Sequence, residues 1–134
     1  MKVPVAGVVI TDGKGRFLIV QEKQPKAYGL WNLPAGWRDE GETLQESAVR
    51  EAKEEVGLEV ELIGGEPLVS MTNDSGDRQL NSFLAKIVGG ELQPQVEELL
   101  DAKWVSLDEV EKLAADGKLR NQWTLESIRK AARK

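Results

Sequence analysis

Three glutamates, Glu51, Glu54 and Glu55, lie close together in the chain and are the residues best suited to metal binding or acid–base chemistry. On an α-helix with about 3.6 residues per turn, Glu51 lies one turn away from both of the others. Like charges at this spacing repel each other. A divalent cation held between the carboxylates would remove that conflict, so the spacing predicts a metal site. The alternative is a solvated acidic helix face.

The residue types that the chain lacks limit which metal and which chemistry are available. It contains no cysteine and no histidine. This excludes disulfide scaffolds, zinc sites with thiolate or imidazole ligands, and Ser-His-Asp or Cys-His nucleophiles. Ligands that are all oxygen atoms suit Mg²⁺, with Mn²⁺ as the second choice. Since Mg²⁺ is usually held by a few carboxylates, water and substrate phosphates, we expect a substrate that carries phosphate groups.

The acidic residues of the chain are concentrated around these glutamates. The 134 residues carry a net charge of −5, whereas residues 38–61 alone contain nine acidic and three basic residues, a net charge of −6. The remainder therefore sums to +1, which argues against a general nucleic-acid binder. We expect a small phosphorylated metabolite or nucleotide as the partner, with neither a membrane nor nucleic acid involved. Monomer and homodimer are both compatible with this chain length.

A helix over residues 43–56 is predicted to position the glutamates. Thr43 and Glu46 have the spacing of a capping box, and Gly57 stands where a left-handed C-terminal cap is expected. Apolar residues recur every third or fourth position and form one buried face. The glutamates lie at the border of that face, so we expect their carboxylates at the edge of the core.

The other predicted elements favour an α/β (α+β) fold, an α/β/α sandwich around a mixed β-sheet, in one domain of residues 1–134. The N-terminal apolar run is too short for a signal peptide, so we expect a cytoplasmic protein. The predicted strands are 3–11, 16–22, 30–33, 59–63, 68–72, 79–88 and 102–105, with a turn at 89–90 and later helices at 107–115 and 122–134.

The spacing around the glutamates resembles the signature of the MutT-like Nudix hydrolases. Gly36 is followed after five residues by Glu42 and, after seven more, by the run Arg50-Glu51-Ala52-Lys53-Glu54-Glu55-Val56-Gly57-Leu58. The family is also similar in two further segments: residues 31–36, which lead into the signature, and residues 104–107 near the end of the chain. The Pro-Ala-Gly variant at 34–36 looks most like its NudJ-type phosphatase branch, as do Leu119-Arg120 and residues 126–129.

This resemblance implies a Nudix-type fold and a Mg²⁺-dependent hydrolase. The expected reaction is attack of water at phosphorus, which cleaves phosphoanhydride bonds in nucleoside di- and triphosphates or related organic diphosphates. One alternative with the same signature is an RNA 5′-pyrophosphohydrolase. Another is a non-catalytic nucleotide-sensing module, although the signature glutamates are all present.

The resemblance also assigns roles by position. The implied metal ligands are Glu51, Glu54, Glu55 and the carbonyl of Ala35, with Glu51 acting as a ligand or as the base. From its spacing to Trp104, Glu98 is our candidate for a further acid outside the signature, and a solvated loop is the alternative. The implied catalytic set is thus Glu51, Glu54, Arg50 and Glu98, and the implied structural or orienting residues are Gly36, Glu42 and Gly57.

Substrate contacts are predicted from residue type alone. Lys23, Arg38 and Arg78 are candidates for binding phosphate, although exposed basic residues often bind nothing specific. Asn81 is a candidate for reading a base edge, and Phe83 for stacking on a base, with a place in the core as the alternative for Phe83.

Overall fold

A mixed sheet of eight strands forms the framework of the computed structural model, which describes residues 2–134. The strands are β1 (Val3–Thr11), β2 (Arg16–Glu22), β3 (Trp31–Asn32), β4 (Ala35–Trp37), β5 (Leu58–Leu62), β6 (Val69–Thr72), β7 (Arg78–Gly90) and β8 (Leu99–Ser106). The helices are α1 (Leu44–Val56), α2 (Leu107–Ala115) and α3 (Gln122–Ala131), with a 3₁₀ turn at Pro25–Ala27.

Strand β1 is the centre of the sheet. It pairs in parallel with β7, with Val5 opposite Leu80, and antiparallel with β4, with Gly7 opposite Ala35. Strand β2 pairs antiparallel with β3 and β8, and β7 pairs antiparallel with both β5 and β6. The sheet is therefore mixed, as predicted.

Two hydrophobic cores lie on opposite faces of the sheet, because successive side chains of a strand point in opposite directions. From β1, Val8 packs on the α1 side and Val9 on the side of α2 and α3. Ala52 fills the first core, and Trp123 fills the second. This arrangement confirms the predicted sandwich. In residues 2–134, no helix has the length and apolar content needed to span a membrane.

Helix α1 begins and ends as its sequence predicts. The Thr43 side chain accepts a hydrogen bond from the Glu46 N–H, and the Glu46 carboxylate accepts one from the Thr43 N–H. Gly57 has a φ of 78°, and a Cβ there would lie 2.6 Å from the Glu91 carbonyl oxygen. Both its backbone angle and its surroundings therefore require glycine.

The last helix ends at Ala131 and not at residue 134 as predicted, and three segments form strand structure beyond the prediction. Residues 89–90, predicted as a turn, continue β7 because they pair with Leu58 and Glu59 of β5. Ala35–Trp37 forms the short strand β4, and β8 begins at Leu99, three residues before the predicted strand. Each of these extensions depends on a partner strand that is distant in the sequence.

Candidate active site

Strand β4 and helix α1 meet at two carboxylates. Glu55, which is 6% exposed, accepts a hydrogen bond from the Ala35 N–H at 2.8 Å through Oε2. The Glu51 carboxylate lies against Gly36, where any Cβ would overlap it. The missing side chain at Gly36 therefore allows the helix carboxylate to approach the strand backbone.

The negative charges of these two carboxylates are only partly balanced by basic groups. Burial raises the pKa of Glu55 well above its usual range, and the neighbouring Glu51 raises it further. Burial likewise raises the pKa of Glu51, although Arg50 opposes the change. Of these two acidic groups in contact at the edge of the core, Glu51 alone is paired with a basic residue, Arg50, and a divalent cation would supply further positive charge.

The guanidinium of Arg50 connects the acidic residues of this region. Its Nε donates to Glu42 Oε2 at 2.7 Å, and its Nη1 donates to Glu51 Oε1 and Glu54 Oε2, both at 2.9 Å. Its Nη2 donates to the Trp37 carbonyl at 3.0 Å. Hydrogen bonding to Arg50 lowers the pKa of Glu42 to about 2. Arg50 thus neutralises part of the cluster and holds Glu51 and Glu54 together.

The predicted metal ligands are neighbours, but their side chains are not arranged as a complete coordination site. In residues 2–134, no three acidic side chains are grouped closely enough to hold a metal ion. Glu54, whose side chain is 54% exposed, turns toward Arg50. Ala35 contacts the cluster through its N–H, and the ligand role of its carbonyl stays a prediction. The all-oxygen donor set and the contact between Glu51 and the buried Glu55, which has no basic partner of its own among the described ion pairs, fit Mg²⁺ or Mn²⁺.

We expect Arg50→Lys to lower the free energy of unfolding by about 1–2 kcal/mol, because an ammonium group cannot reproduce the bonds of a planar fork. Arg16→Lys is the matched control, since the Arg16 side chain is 56% exposed and pairs only with Asp12. Urea denaturation at neutral pH measures both variants. An equal loss of stability in the two would contradict the proposed bridging role of Arg50.

Two adjoining cavities open beside the carboxylates. The first, of about 430 Å³, is lined by Glu51, Glu54, Glu55, Gln95 and Glu98, among others. The second, of about 310 Å³, shares with it the residues Gln24, Ala35, Gly36, Glu55 and Glu98. Glu98 therefore borders both cavities, a position that suits the further acid predicted from its spacing.

The predicted phosphate-binding residues lie in different places. Arg78 lines the second cavity, with its guanidinium 5.7 Å from the centre of the exposed Trp37 ring. Lys23 donates through Nζ to the Val96 carbonyl at 2.9 Å. Arg38 is exposed and lines neither cavity. Of the three, Arg78 alone is placed to contact a ligand in the second cavity.

The predictions for Asn81 and Phe83 are wrong. Phe83 is 1% exposed and packs in the core beneath α1. The Asn81 side chain donates to the Val5 carbonyl at 3.1 Å and accepts from Ser70 Oγ at 2.8 Å. On β7 both residues point away from the face of Leu80, which lines the second cavity. Neither has surface left to contact a ligand.

Two residues that the sequence did not single out, Glu22 and Trp123, line the second cavity together with Arg120. Glu22, at the end of β2, forms an ion pair with Arg120, although 98 residues separate them. Burial raises the pKa of Glu22, and Arg120 opposes this shift. Trp123, on the first turn of α3, lines the same cavity. A lone glutamate at the end of an apolar strand gives no signal of such a distant partner.

Comparisons with known proteins add to this geometry. The NUDIX domain model matches residues 1–125. The NAD-capped RNA hydrolase NudC of Vibrio atlanticus is 31% identical over 131 residues, covering 93% of this chain and 46% of that protein. The 8-oxo-dGDP phosphatase NUDT18 of Danio rerio is 36% identical over 104 residues, covering 75% and 31%. The chain spans less than half the length of these relatives.

A solved structure agrees with the observed fold. The ADP-ribose pyrophosphatase of Streptococcus suis superimposes with a TM-score of 0.72 at 26% identity, covering 100% of this chain and 94% of that one. The similarity to the NudJ-type branch stays a prediction.

Proposed function

The chain belongs to the Nudix family, and from this membership we propose that it is a Mg²⁺-dependent hydrolase of phosphoanhydride bonds. The proposed substrates are nucleoside di- and triphosphates or related organic diphosphates. The observation that carries the proposal is the contact of Glu51 and Glu55 with the backbone of residues 35–36, at the junction of two cavities. This arrangement supports a cation site directly beside a cavity with room for a ligand.

The metal would be held by Glu51, Glu54 and Glu55, with the Ala35 carbonyl as a further proposed ligand. When bound, the cation would polarise phosphoryl oxygens and neutralise charge that develops on them. Arg50 positions Glu51 and Glu54 through its fork of hydrogen bonds. Its role is therefore to orient carboxylates.

In the proposed reaction, water forms a new bond to phosphorus while the phosphoanhydride P–O bond breaks. The leaving phosphate takes the electron pair of that bond, and a carboxylate accepts the proton of the water. We propose Glu98 as this acceptor because it borders both cavities. Glu51 is the alternative base.

A phosphate-release screen with Mg²⁺ or Mn²⁺ tests the proposed function. The panel comprises nucleoside di- and triphosphates, dinucleoside polyphosphates, nucleotide sugars and thiamine diphosphate. Separate detection of orthophosphate and pyrophosphate shows which bond breaks. Metal-dependent release from at least one compound is expected, and no release from any of them would overturn the proposal.

We expect Mg²⁺ to raise the melting temperature of the protein, because a ligand that binds only the folded state stabilises it. At about 100 times the Kd the stabilisation reaches about 2.7 kcal/mol. Glu54→Gln should show a smaller increase, since it removes one proposed ligand charge. Differential scanning fluorimetry with Mg²⁺ or with EDTA measures the shift. An equal shift in the variant would exclude Glu54 as a ligand.

A second candidate is hydrolysis at the 5′ end of RNA. It is favoured by relatives named as NAD-capped RNA hydrolases, and these also weaken the expectation that nucleic acid is not a partner. The near-neutral charge outside residues 38–61 argues against it. The test is to offer NAD-capped and triphosphorylated RNA together with small nucleotides. If RNA is neither processed nor competes for hydrolysis, this candidate fails.

A further inference from the structure

Trp123 is the one residue in 2–134 with a buried side-chain nitrogen or oxygen that lacks a hydrogen-bond partner. Its ring is 1% exposed, it lines the second cavity, and its Nε1–H donates to no described atom. Buried donors are normally paired, because an unmade hydrogen bond retains the cost of losing water. An unpaired donor beside a cavity points to an acceptor on a ligand.

The Trp123 ring is fixed in this orientation by Gly7. A Cβ on Gly7 would lie 2.9 Å from Trp123 Cζ2, so the indole packs directly on the backbone of β1. Nε1 is on the same edge of the indole as Cζ2. Because cores are closely packed, the ring cannot turn to seek a partner elsewhere.

Asn32 supplies a second donor to the same cavity. Its Oδ1 accepts from the Leu33 N–H and from Thr124 Oγ1, both at 2.9 Å. A backbone N–H only donates, so these bonds fix which end of the amide is oxygen. The NH₂ group is then left for the cavity that Asn32 lines. Thr124 is adjacent to Trp123, so the first turn of α3 orients both donors.

The neighbouring ion pair engages one acceptor at this wall, Oε2 of Glu22. Glu22, whose side chain is 8% exposed, is engaged by Arg120, and both line the cavity. Arg120 has further N–H groups that its partner does not use. The carboxylates Glu55 and Glu98 border the other cavity as well. The second cavity therefore has Glu55 and Glu98 on the side of the proposed metal site, and the donors of Asn32, Arg120 and Trp123 lie around the ion pair of Glu22.

We propose that Trp123 and Asn32 select nucleotides whose base carries a carbonyl group over those with an amino group at the same ring position. This inference rests on the proposed function. A carbonyl oxygen on the base accepts hydrogen bonds from these donors. An amino group is itself a donor, so it cannot accept from Trp123 and leaves the indole N–H unpaired. The cavity volume of about 310 Å³ lies at the lower end of the range for ligand sites. Trp37, which is 57% exposed, provides an aromatic surface at the same cavity.

Calorimetric binding of nucleoside monophosphates tests the selection without hydrolysis, since these ligands contain no phosphoanhydride bond. The pairs are IMP against AMP and UMP against CMP, which differ in a carbonyl or amino group. The wild-type protein should bind the carbonyl member about fivefold more tightly, the effect of one hydrogen bond. Trp123→Phe should remove most of this preference by weakening the carbonyl ligands. A general loss of packing in the variant lowers the affinity for both ligands of a pair, so its effect cancels in the ratio of the two affinities.

Trp104→Phe is the matched control, because Trp104 lies on β8 and packs against the core on the α1 side. It should keep the preference. Asn32→Asp is a second variant that retains the acceptor for Leu33 and Thr124 but replaces the NH₂ by oxygen. It should shift the preference toward AMP and CMP. No preference in the wild type, or equal effects of Trp123→Phe and Trp104→Phe, would overturn the proposal.

The two proposals fail in different ways. Hydrolysis of nucleotides with no difference between carbonyl and amino bases would leave the proposed function standing and contradict the selection. Preferential binding of IMP and UMP with no metal-dependent hydrolysis of any compound in the phosphate-release panel would support the selection and contradict the proposed function.

Discussion

Glu55→Gln should lower metal-dependent turnover by at least about a hundredfold while raising the stability of the metal-free protein. Loss of a residue that only supports a metal ligand typically lowers metal affinity or activity about 10- to 100-fold. Loss of a ligand itself should lower activity at least as much. Glu55 is 6% exposed, and burial together with Glu51 raises its pKa. A carboxyl whose pKa is raised on folding lowers the stability of the folded protein at neutral pH, and a neutral amide removes that cost.

The glutamine preserves the local hydrogen bonds. Its amide oxygen accepts from the Ala35 N–H, as Oε2 of Glu55 does, and its NH₂ faces the Glu51 carboxylate as a donor. Glu54→Gln should lose comparable activity with little change in stability, because its side chain is 54% exposed. Turnover is measured by phosphate release and stability by thermal unfolding in EDTA.

Glu66→Gln is the control for both variants, since Glu66 is exposed and lines neither cavity. It should match the wild type in both measurements. Near-normal turnover of Glu54→Gln and Glu55→Gln on a substrate that the wild type hydrolyses would contradict the assignment of these residues as ligands.

Gly36→Ala should also reduce turnover strongly, because the new Cβ would overlap the Glu51 carboxylate. Either the carboxylate moves away from the strand or β4 separates from α1. Because the overlapped atoms are the end of a flexible side chain, we expect the carboxylate to move at little cost in stability. A displacement of about 1 Å in a catalytic group costs about a hundredfold in rate. Phosphate release and urea denaturation measure the two effects.

Gly65→Ala is a matched control for that substitution. Gly65 has no heavy atom within 4 Å of an added Cβ, and its φ is not in the left-handed region. We expect turnover and stability close to those of the wild type. If Gly36→Ala behaves like Gly65→Ala, the close approach of Glu51 to the strand has no role in catalysis.

Local sequence information was sufficient for helix α1. Thr43, Glu46 and Gly57 define its ends through contacts that span one turn, so the predicted cap and stop are confirmed. The glutamates lie beside the apolar face as the helical period requires, with Glu55 buried and Glu54 exposed. The resemblance implies that residues 35–36 and the glutamates belong to one site, and in the structure Glu55 and Glu51 lie against these two residues.

Residue type alone was not sufficient for substrate contacts. Phe83 and Asn81 have side chains suited to a base, yet both are buried on the face of β7 that points away from the second cavity. The type of an aromatic or amide residue in a strand does not indicate whether its side chain lies on the face that borders a cavity or on the opposite face. Which face borders a cavity is decided by the elements that pack on the sheet.

The sequence by itself determined the sandwich architecture, the limits of α1 and the acidic cluster, because these depend on periodicity and on contacts between near neighbours. The tertiary structure alone decided the wall of the second cavity. Glu22 meets Arg120 across 98 residues, and Asn32 meets Thr124 across 92. Trp123 is fixed by the backbone of Gly7. Such pairs arise only when distant segments pack on one sheet, because nothing local to either residue specifies the other.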